Sequence, residues 1–396
     1  MEKKTVVLGV TGGIAAYKSA EIASRLRKAG VEVYVIMTEH ATEFIAPLTF
    51  ETLTGHAVAV DMFAEKVRFE VEHISLAKRA DVFLIAPATA NIIGKMAHGI
   101  ADDMLSTTVM ATEATICVAP AMNEKMWEHP AVQDNMRILV DRGADVVGPG
   151  KGFLACGDVG YGRMEEPQVI VERVLDLLYE KKDFAGKRVV VTAGPTREPI
   201  DPVRYISNRS SGKMGVAIAR EARRRGAQVV LIHGPMAVEP PLWVESILVE
   251  TTAQMRDAVL REFDGCDVLI KAAAPGDFRA KEVFDFKVKK TQHDLDTIQL
   301  VENPDILSQV AERKKDQVVV GFAAETNQVV DYAEEKLQRK KLDMIVANDV
   351  TQAGAGFDSD TNIVTILKRG GGRREVPLAQ KEDVAAAVLD EIATLI

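Results

Sequence analysis

Apolar positions along the chain follow one grammar twice. Thr5–Val10 is a short β-branched run that ends in a glycine turn; residues 14–28 then carry helical spacing, Ala29-Gly30 closes them, and residues 31–37 return to β-branched character. Strand, loop, helix and strand recur in the second half. Residues 187–192 are mostly apolar, Gly212-Lys213-Met214-Gly215 opens a helix that runs to Arg225, and residues 228–232 form the next strand. Between the repeats, residues 167–179 predict a closing helix and residues 180–186 a charged connector ending in glycine. The expected division falls near residue 184, into domains 1–184 and 185–396.

Residues 80–87 and 115–120 are continuous apolar runs, the pattern of parallel strands covered on both faces. Each runs directly into a polar loop, and in such sheets ligands bind outside the carboxyl ends of the strands. Residues 267–273, 317–322 and 343–347 repeat this in the second half. Asn303-Pro304-Asp305 reads as the cap, first-turn proline and early acid of a helix. Residues 362–368, Gly370-Gly371-Gly372 and the segment from Glu375 read as a hairpin and a terminal helix. The fold class expected is α/β, with two doubly wound, Rossmann-like, three-layer domains.

Composition narrows the partners more than the fold. Over 396 residues, 49 lysines and arginines stand against 58 aspartates and glutamates, a net charge of −9. That balance opposes sequence-independent binding to nucleic acid or to an anionic membrane, which needs a basic surplus. Small-molecule substrates are expected, with no nucleic acid and no membrane. Cys117, Cys156 and Cys266 are an odd count without metal-ligand spacing, which predicts a reducing, cytoplasmic compartment. The first apolar run meets Gly12-Gly13 without a cleavage pattern, so it reads as a strand and not as a signal peptide. No apolar stretch approaches the roughly 20 residues that span a bilayer.

Neither glycine loop has a standard nucleotide fingerprint. The loop from Gly9 does not match G-x-G-x-x-G, and residues 207–214 fail the P-loop pattern because Ser207 takes the first glycine position and Lys213 is followed by Met214. A glycine loop that opens a helix still offers backbone N–H groups and a helix dipole to a phosphate; a tight turn without a ligand is the plainer alternative. Four features of the first half are each weak alone: His73 at a helix start, Pro87-Ala88-Thr89-Ala90-Asn91, Pro120-Ala121-Met122-Asn123, and Cys156 in Ala155-Cys156-Gly157-Asp158. Such a histidine is usually a cap or surface group, and such an asparagine a turn residue. Cys156 stands out because it lies in a glycine-rich segment, where a thiol can be accessible and act as acid or nucleophile. Cys117, inside a strand, reads as core.

Together these segments resemble the flavin-dependent cysteine decarboxylases: Gly-Gly-Ile-Ala-Ala-Tyr-Lys at 12–18, His-Ile-Ser-Leu at 73–76, Pro-Ala-Met-Asn-x-x-Met-Trp at 120–127, and Ala-Cys-Gly-Asp followed by Gly-x-Gly-x-Met at 155–164. The resemblance implies a flavodoxin-like half that binds FMN through Gly12, Gly13, Ile14, Thr38, Thr89, Ala90, Asn91, Ile92 and Ala121, with the phosphate at the first helix. It also implies His73 as base or orienting group, Asn123 as holder of the substrate carboxylate and Cys156 as proton donor. In that family FMN takes a hydride equivalent from the carbon bearing the thiol, which creates the electron sink that direct loss of CO₂ lacks.

In the second half, residues 192–215 hold a long polar insertion between strand and helix, a length that in compact domains is functional or disordered. Lys287-Val288-Lys289-Lys290 is a charge run whose plainer reading is a solvated face. With Lys281, Arg313, Lys314, Lys336, Arg339, Lys340 and Lys341 it offers cations for a triphosphate and Mg²⁺. These stretches are similar to phosphopantothenate–cysteine ligase. The order of the halves resembles, over nearly the whole chain, the bacterial bifunctional phosphopantothenoylcysteine decarboxylase/phosphopantothenate–cysteine ligase family of coenzyme A biosynthesis.

That resemblance implies CTP-dependent ligation of cysteine to phosphopantothenate through an acyl-cytidylate, then FMN-dependent decarboxylation to phosphopantetheine. Asn208 would bind the acyl intermediate and Lys287 would stabilise charge during the transfer. Asp277, Lys287, Asn303, Pro304, Asp305, Ile306, Phe322, Lys336 and Lys340 would contact CTP, with Asp277 as Mg²⁺ ligand. Homo-oligomers are implied, trimeric through the flavin halves and dimeric through the ligase halves. One departure bears on the local backbone and on nucleotide fit: Ala273-Ala274-Pro275-Gly276-Asp277 replaces the Ala-Ala-Val-Ala-Asp expected of the family. Two further readings are a flavin-binding regulatory subunit without catalysis and an NAD(P)-dependent oxidoreductase; the missing G-x-G-x-x-G counts against the latter.

Overall fold

Alternating apolar residues build the first sheet. Val6, Leu8 and Val10 of β1 (Thr5–Val10) belong to one buried cluster with Ile22, Leu26 and Phe50, while Val7 belongs to another with Phe83, Leu105 and Val118. Opposite faces of one strand thus pack under two helical layers. β2 (Glu32–Met37), β3 (Val82–Ala88), β4 (Thr115–Pro120) and β5 (Asp145–Val146) join it in the order β2-β1-β3-β4-β5, all parallel. This is the flavodoxin-like doubly wound order, whose switch point lies between β1 and β3.

The second sheet has eight strands. Arg188–Ala193 is flanked on one side by Gln228–His233 and Glu245–Leu248, and on the other by Val268–Lys271, Val318–Glu325 and Met344–Asp349, all parallel. Counted in chain order these six strands run 3-2-1-4-5-6, the Rossmann order. The hairpin Thr361–Lys368 and Arg373–Gln380 extends the sheet antiparallel, and the helix Lys381–Ile392 follows it. Val189 and Val191 pack with Ile218 and Val388 on one face, and Val190 with Met255, Val259 and Phe263 on the other. Each such side chain contributes about 1.5–3 kcal/mol when fully buried. At Gly215 a Cβ would come within 2.5 Å of the Ala193 Cβ, so glycine lets the helix Lys213–Arg224 lie directly on the central strand.

This computed structural model describes residues 3–63, 72–153, 159–289, 297–325, 328–349, 351–352, 354–356 and 358–396. The chain divides into two units, Met1–Glu180 and Lys181–Ile396. Two local expectations are corrected. Asp305, not Asn303, caps the helix Ile306–Arg313, its carboxylate accepting the Ser308 N–H at 3.0 Å, because the Asn303 amide is engaged by the Gly276 carbonyl at 2.9 Å. The strand expected over 267–273 ends at Lys271, where the backbone turns aside: Ala273 N–H donates to Thr192 Oγ1 at 3.1 Å and Ala274 N–H to Gly194 O at 3.0 Å. Among the described residues no helix is long and apolar enough to cross a membrane.

Candidate active sites

The first site is a cavity of about 490 Å³ at the carboxyl ends of β1, β3 and β4, lined by the loops that follow them and by residues 162–164. Two helices begin there, Ala16–Lys28 and Ala90–His98, and neither start carries a side-chain cap. Both leave backbone N–H groups and partial positive charge for an anion. Thr11 Oγ1 donates to Pro87 O at 2.7 Å and Ser19 Oγ to Ala86 O at 2.6 Å, pinning the loop and the first helix to β3. A Cβ at Gly12 would lie 2.4 Å from the His40 Cβ, so the loop rests against the short helix Glu39–Thr42. One at Gly13 would meet nothing nearer than Thr89 Cγ2 at 3.6 Å. The result is a backbone cradle that fits a flavin phosphate.

Gly12, Gly13, Ile14, Thr89, Ala90, Ala121 and Asn123 line this cavity. Asn123 Oδ1 accepts the Lys125 N–H at 2.9 Å, capping the helix Glu124–Trp127 and fixing the side chain. Thr38 stands one step behind the cavity wall, capping Glu39–Thr42. Asn91 is exposed and Ile92 buried on the helix Ala90–His98, and His73 is half-buried at the start of Glu72–Arg79; none of these lines the cavity. Cys156 lies outside the described residues, in sequence between the paired strands Gly150–Phe153 and Val159–Arg163. That pair packs on the Asn123 loop through Met122 N–H to Gly162 O at 2.9 Å and Tyr161 N–H to Glu124 Oε1 at 3.1 Å. Lys18, a wall residue given no separate role from sequence, is buried and paired with Glu166 at 3.3 Å.

The second site, a cavity of about 380 Å³, lies where Arg188–Ala193 and Val268–Lys271 diverge, at the switch point of the Rossmann order. The helix Lys213–Arg224 starts on its wall without a side-chain cap. Asn208, Asp277, Phe322 and Lys336 line it; Asn208 Nδ2 donates to Pro275 O at 2.9 Å. Asn303 supports the wall from behind, donating its N–H to Asp277 O at 2.8 Å. Pro304, Asp305, Ile306 and Lys340 do not line the cavity: Lys340 pairs with Asp305 and donates to Ser308 Oγ at 2.8 Å, and Ile306 is buried. Lys287 is exposed and does not line it either; Lys290 lies outside the described residues.

The cavity is strongly cationic: among the described residues, Arg209, Lys213, Lys271, Lys336 and Lys381 face one acid, Asp277. Of the cations singled out in the sequence for a triphosphate, Lys336 is the one among the described residues that stands on this wall. Lys314 binds Asp343 at 2.6 Å at the amino end of the strand Met344–Asp349, the wrong edge of a parallel sheet. Burial pushes the Lys336 and Lys381 ammonium groups below their ordinary value, and Lys271 down to about 8. Among the described residues no three His, Cys, Asp or Glu side chains gather to hold a metal. Asp277 is the carboxylate available, and Mg²⁺ often needs only one or two besides substrate phosphates. Lys271 had a readable signal as the lone charge in an apolar strand; Lys381, Asn348 and Asn362 had none, since folding alone brings them here.

A flavodoxin-like unit followed by a Rossmann-ordered unit, each with an anion-suited cavity at its switch point, defines a two-site α/β enzyme. Residues 1–179 match the family described as flavoprotein, and residues 184–396 the DNA/pantothenate metabolism flavoprotein C-terminal domain. The chain is 49% identical to the coenzyme A biosynthesis bifunctional protein CoaBC of Bacillus subtilis, over 100% of this chain and 98% of that protein. It is 45% identical to the protein of the same name in Escherichia coli, over 99% of this chain and 97% of the relative. Among solved structures it is similar to the C-terminal domain of CoaBC, with 42% identity over 54% of this chain and 98% of that one, TM-score 0.47. It is also similar to the FMN-dependent cysteine decarboxylase SpaF, with 35% identity over 45% of this chain and 98% of that one, TM-score 0.39. The chain belongs to the family of bifunctional coenzyme A biosynthesis enzymes.

Proposed function

We propose that the two activities are divided between the two cavities, with phosphopantothenoylcysteine made in the domain 185–396 and decarboxylated in the domain 1–184. The single observation that carries this division is the pair of cavities at separate switch points, one mostly apolar with Lys18 and Arg163 on its wall, the other carrying the five cations Arg209, Lys213, Lys271, Lys336 and Lys381. In the second, the phosphopantothenate carboxylate attacks the α-phosphorus of CTP, pyrophosphate leaves, and the cysteine amine displaces CMP to form the amide. Lys336 and the start of the helix Lys213–Arg224 neutralise phosphate, Asp277 holds Mg²⁺, and Asn208, fixed by Pro275 O, holds the acyl group. Lys287, exposed on the segment anchored by Val288, is assigned the role of stabilising charge in the transfer.

In the first cavity, residues 12–14, Thr89, Ala90 and Ala121 hold FMN, whose phosphate sits at the start of the helix Ala16–Lys28. Bound FMN supplies the hydride acceptor that makes the carbon beside the sulfur an electron sink. Asn123 orients the substrate carboxylate, His73 acts as base or orienting group, Thr38 supports the FMN site by capping Glu39–Thr42, and Cys156 returns a proton to the product. Homo-oligomers, dimeric through the ligase halves and trimeric through the flavin halves, are part of the same reading, carried by the resemblance alone.

The test supplies phosphopantothenate, cysteine, CTP and Mg²⁺ and follows pyrophosphate, then CO₂. Cys156→Ala should stall an oxidised intermediate after CO₂ has left, so that phosphopantetheine does not form, and leave pyrophosphate release intact; Asn208→Ala and Lys287→Ala should abolish pyrophosphate release and leave decarboxylation intact when phosphopantothenoylcysteine is supplied. Loss of both activities in a folded Cys156→Ala protein would sink the division.

A further inference from the structure

Lys271 is the last residue of the strand Val268–Lys271 and stands on the wall of the second cavity. Val268, Leu269 and Ile270 before it are buried, and an apolar residue would continue their pattern. The other lysines of the wall have protein acceptors. Lys213 reaches Asp358 O and Asp360 Oδ1 at 2.7 Å each, Lys336 reaches Phe322 O at 2.9 Å, and Lys381 the Ser359 carbonyl. The Lys271 main chain is paired with Thr192 and Gly321, but among the described residues its ammonium group has no hydrogen bond and no ion pair. An ammonium left so in a largely enclosed place lowers stability. Burial is the main force pushing it down to about 8; Lys336 adds to that and Lys340 more weakly, while Asp305 and Asp277 oppose. Arg209, Lys213 and Lys381 share the same wall.

We propose that Lys271 is a phosphate-binding residue for the nucleotide, a cation without a protein partner whose partner is the polyphosphate entering between it and the start of the helix Lys213–Arg224. The proposal rests on the reading of this cavity as the CTP site. It explains why a charge persists where a leucine would be more stable: stability is given up for an anion that arrives only with substrate. An anion at this position also favours the protonated amine, so near pH 8 the enzyme takes up a proton as the nucleotide binds.

Calorimetric titration of the full-length protein with CTP at pH 8, in two buffers of different ionisation enthalpy, tests it. The native chain should show buffer-dependent heats with the sign of proton uptake. Lys271→Met should weaken CTP roughly 10- to 100-fold, the span of a lost charge-assisted hydrogen bond. It should also abolish the uptake, while the thermal midpoint of the ligand-free protein is unchanged or higher. Lys271→Arg, charged at every pH, should recover most of the binding without the uptake. Native-like affinity and uptake in Lys271→Met would overturn the proposal, and so would a lowered ligand-free midpoint, which would make Lys271 a structural residue. A native chain that binds no CTP would instead remove the reading of the cavity, and the proposal with it.

Discussion

Glu32, at the start of β2, meets Lys3 at 3.1 Å, Arg27 at 2.6 Å and His56 at 3.0 Å. The hydrogen bond to His56 is the first cause, and Lys3 the next, that lowers its carboxyl from the ordinary 4.5 to about 2. A carboxyl lowered by folding stabilises above its unfolded value and loses that contribution as pH falls through the folded one. Glu32→Gln should therefore lower the thermal midpoint by a constant amount above about pH 5, and the gap to the native chain should close between pH 4.5 and pH 2; a gap that widens there would refute the assignment. At Gly276 the local backbone has room for the alanine expected of the family. A Cβ there meets Glu198 Cγ and Phe278 O at an ordinary 3.4 Å, and the backbone lies outside the left-handed region. Gly276→Ala should leave CTP affinity within about twofold and stabilise by about 0.4–1 kcal/mol, through the unfolded chain.

At the scale of elements, the segment that carries Lys287 is tied down by a buried carboxylate. The fully buried Asp201 side chain accepts the N–H groups of Val203 and Arg204 at 2.8 Å each, the Val288 N–H at 3.3 Å and Arg204 Nε at 2.9 Å, while Arg204 reaches Val288 O at 3.0 Å. The Arg204 guanidinium holds this carboxyl well below the usual carboxylate range. Val288 is thereby buried between exposed Lys287 and Lys289, so part of the run that read as a solvated face is anchored. Asp201→Asn should cut pyrophosphate release several-fold with CO₂ release from supplied intermediate unchanged; equal loss of both would indicate general unfolding. Gly215→Ala would push a methyl group into Ala193 and should cost about 1–3 kcal/mol, read as a lower midpoint for the second unit. Strands with unbroken apolar runs were legible in the sequence to within two or three residues, the largest miss being the strand read over 317–322, which runs Val318–Glu325. The ends at Lys271 and Asp305 were not, because sideways bonds from Thr192, Gly194 and Gly276 decide them.

For the whole molecule, two units with separate ligands predict separate ligand linkage. Calorimetry of flavin-depleted protein should resolve two transitions, with FMN raising one and CTP the other; a ligand at 100 times its dissociation constant contributes about 2.7 kcal/mol to the unit that binds it. If both transitions moved together with either ligand, the units would be thermodynamically coupled. The sequence by itself determined the two doubly wound halves, the glycine loops and the segments that supply Asn123, Asn208 and Asp277, because strand periodicity, helix starts and turn residues are local properties. Only the tertiary structure decided which cations face the second cavity. Lys271, Lys336 and Lys381 lie on three different elements of the sheet and its helices, while Lys314 and Lys340 are drawn off by Asp343 and Asp305. A charge run carries no information about which end of a parallel sheet it will reach; the strand order does.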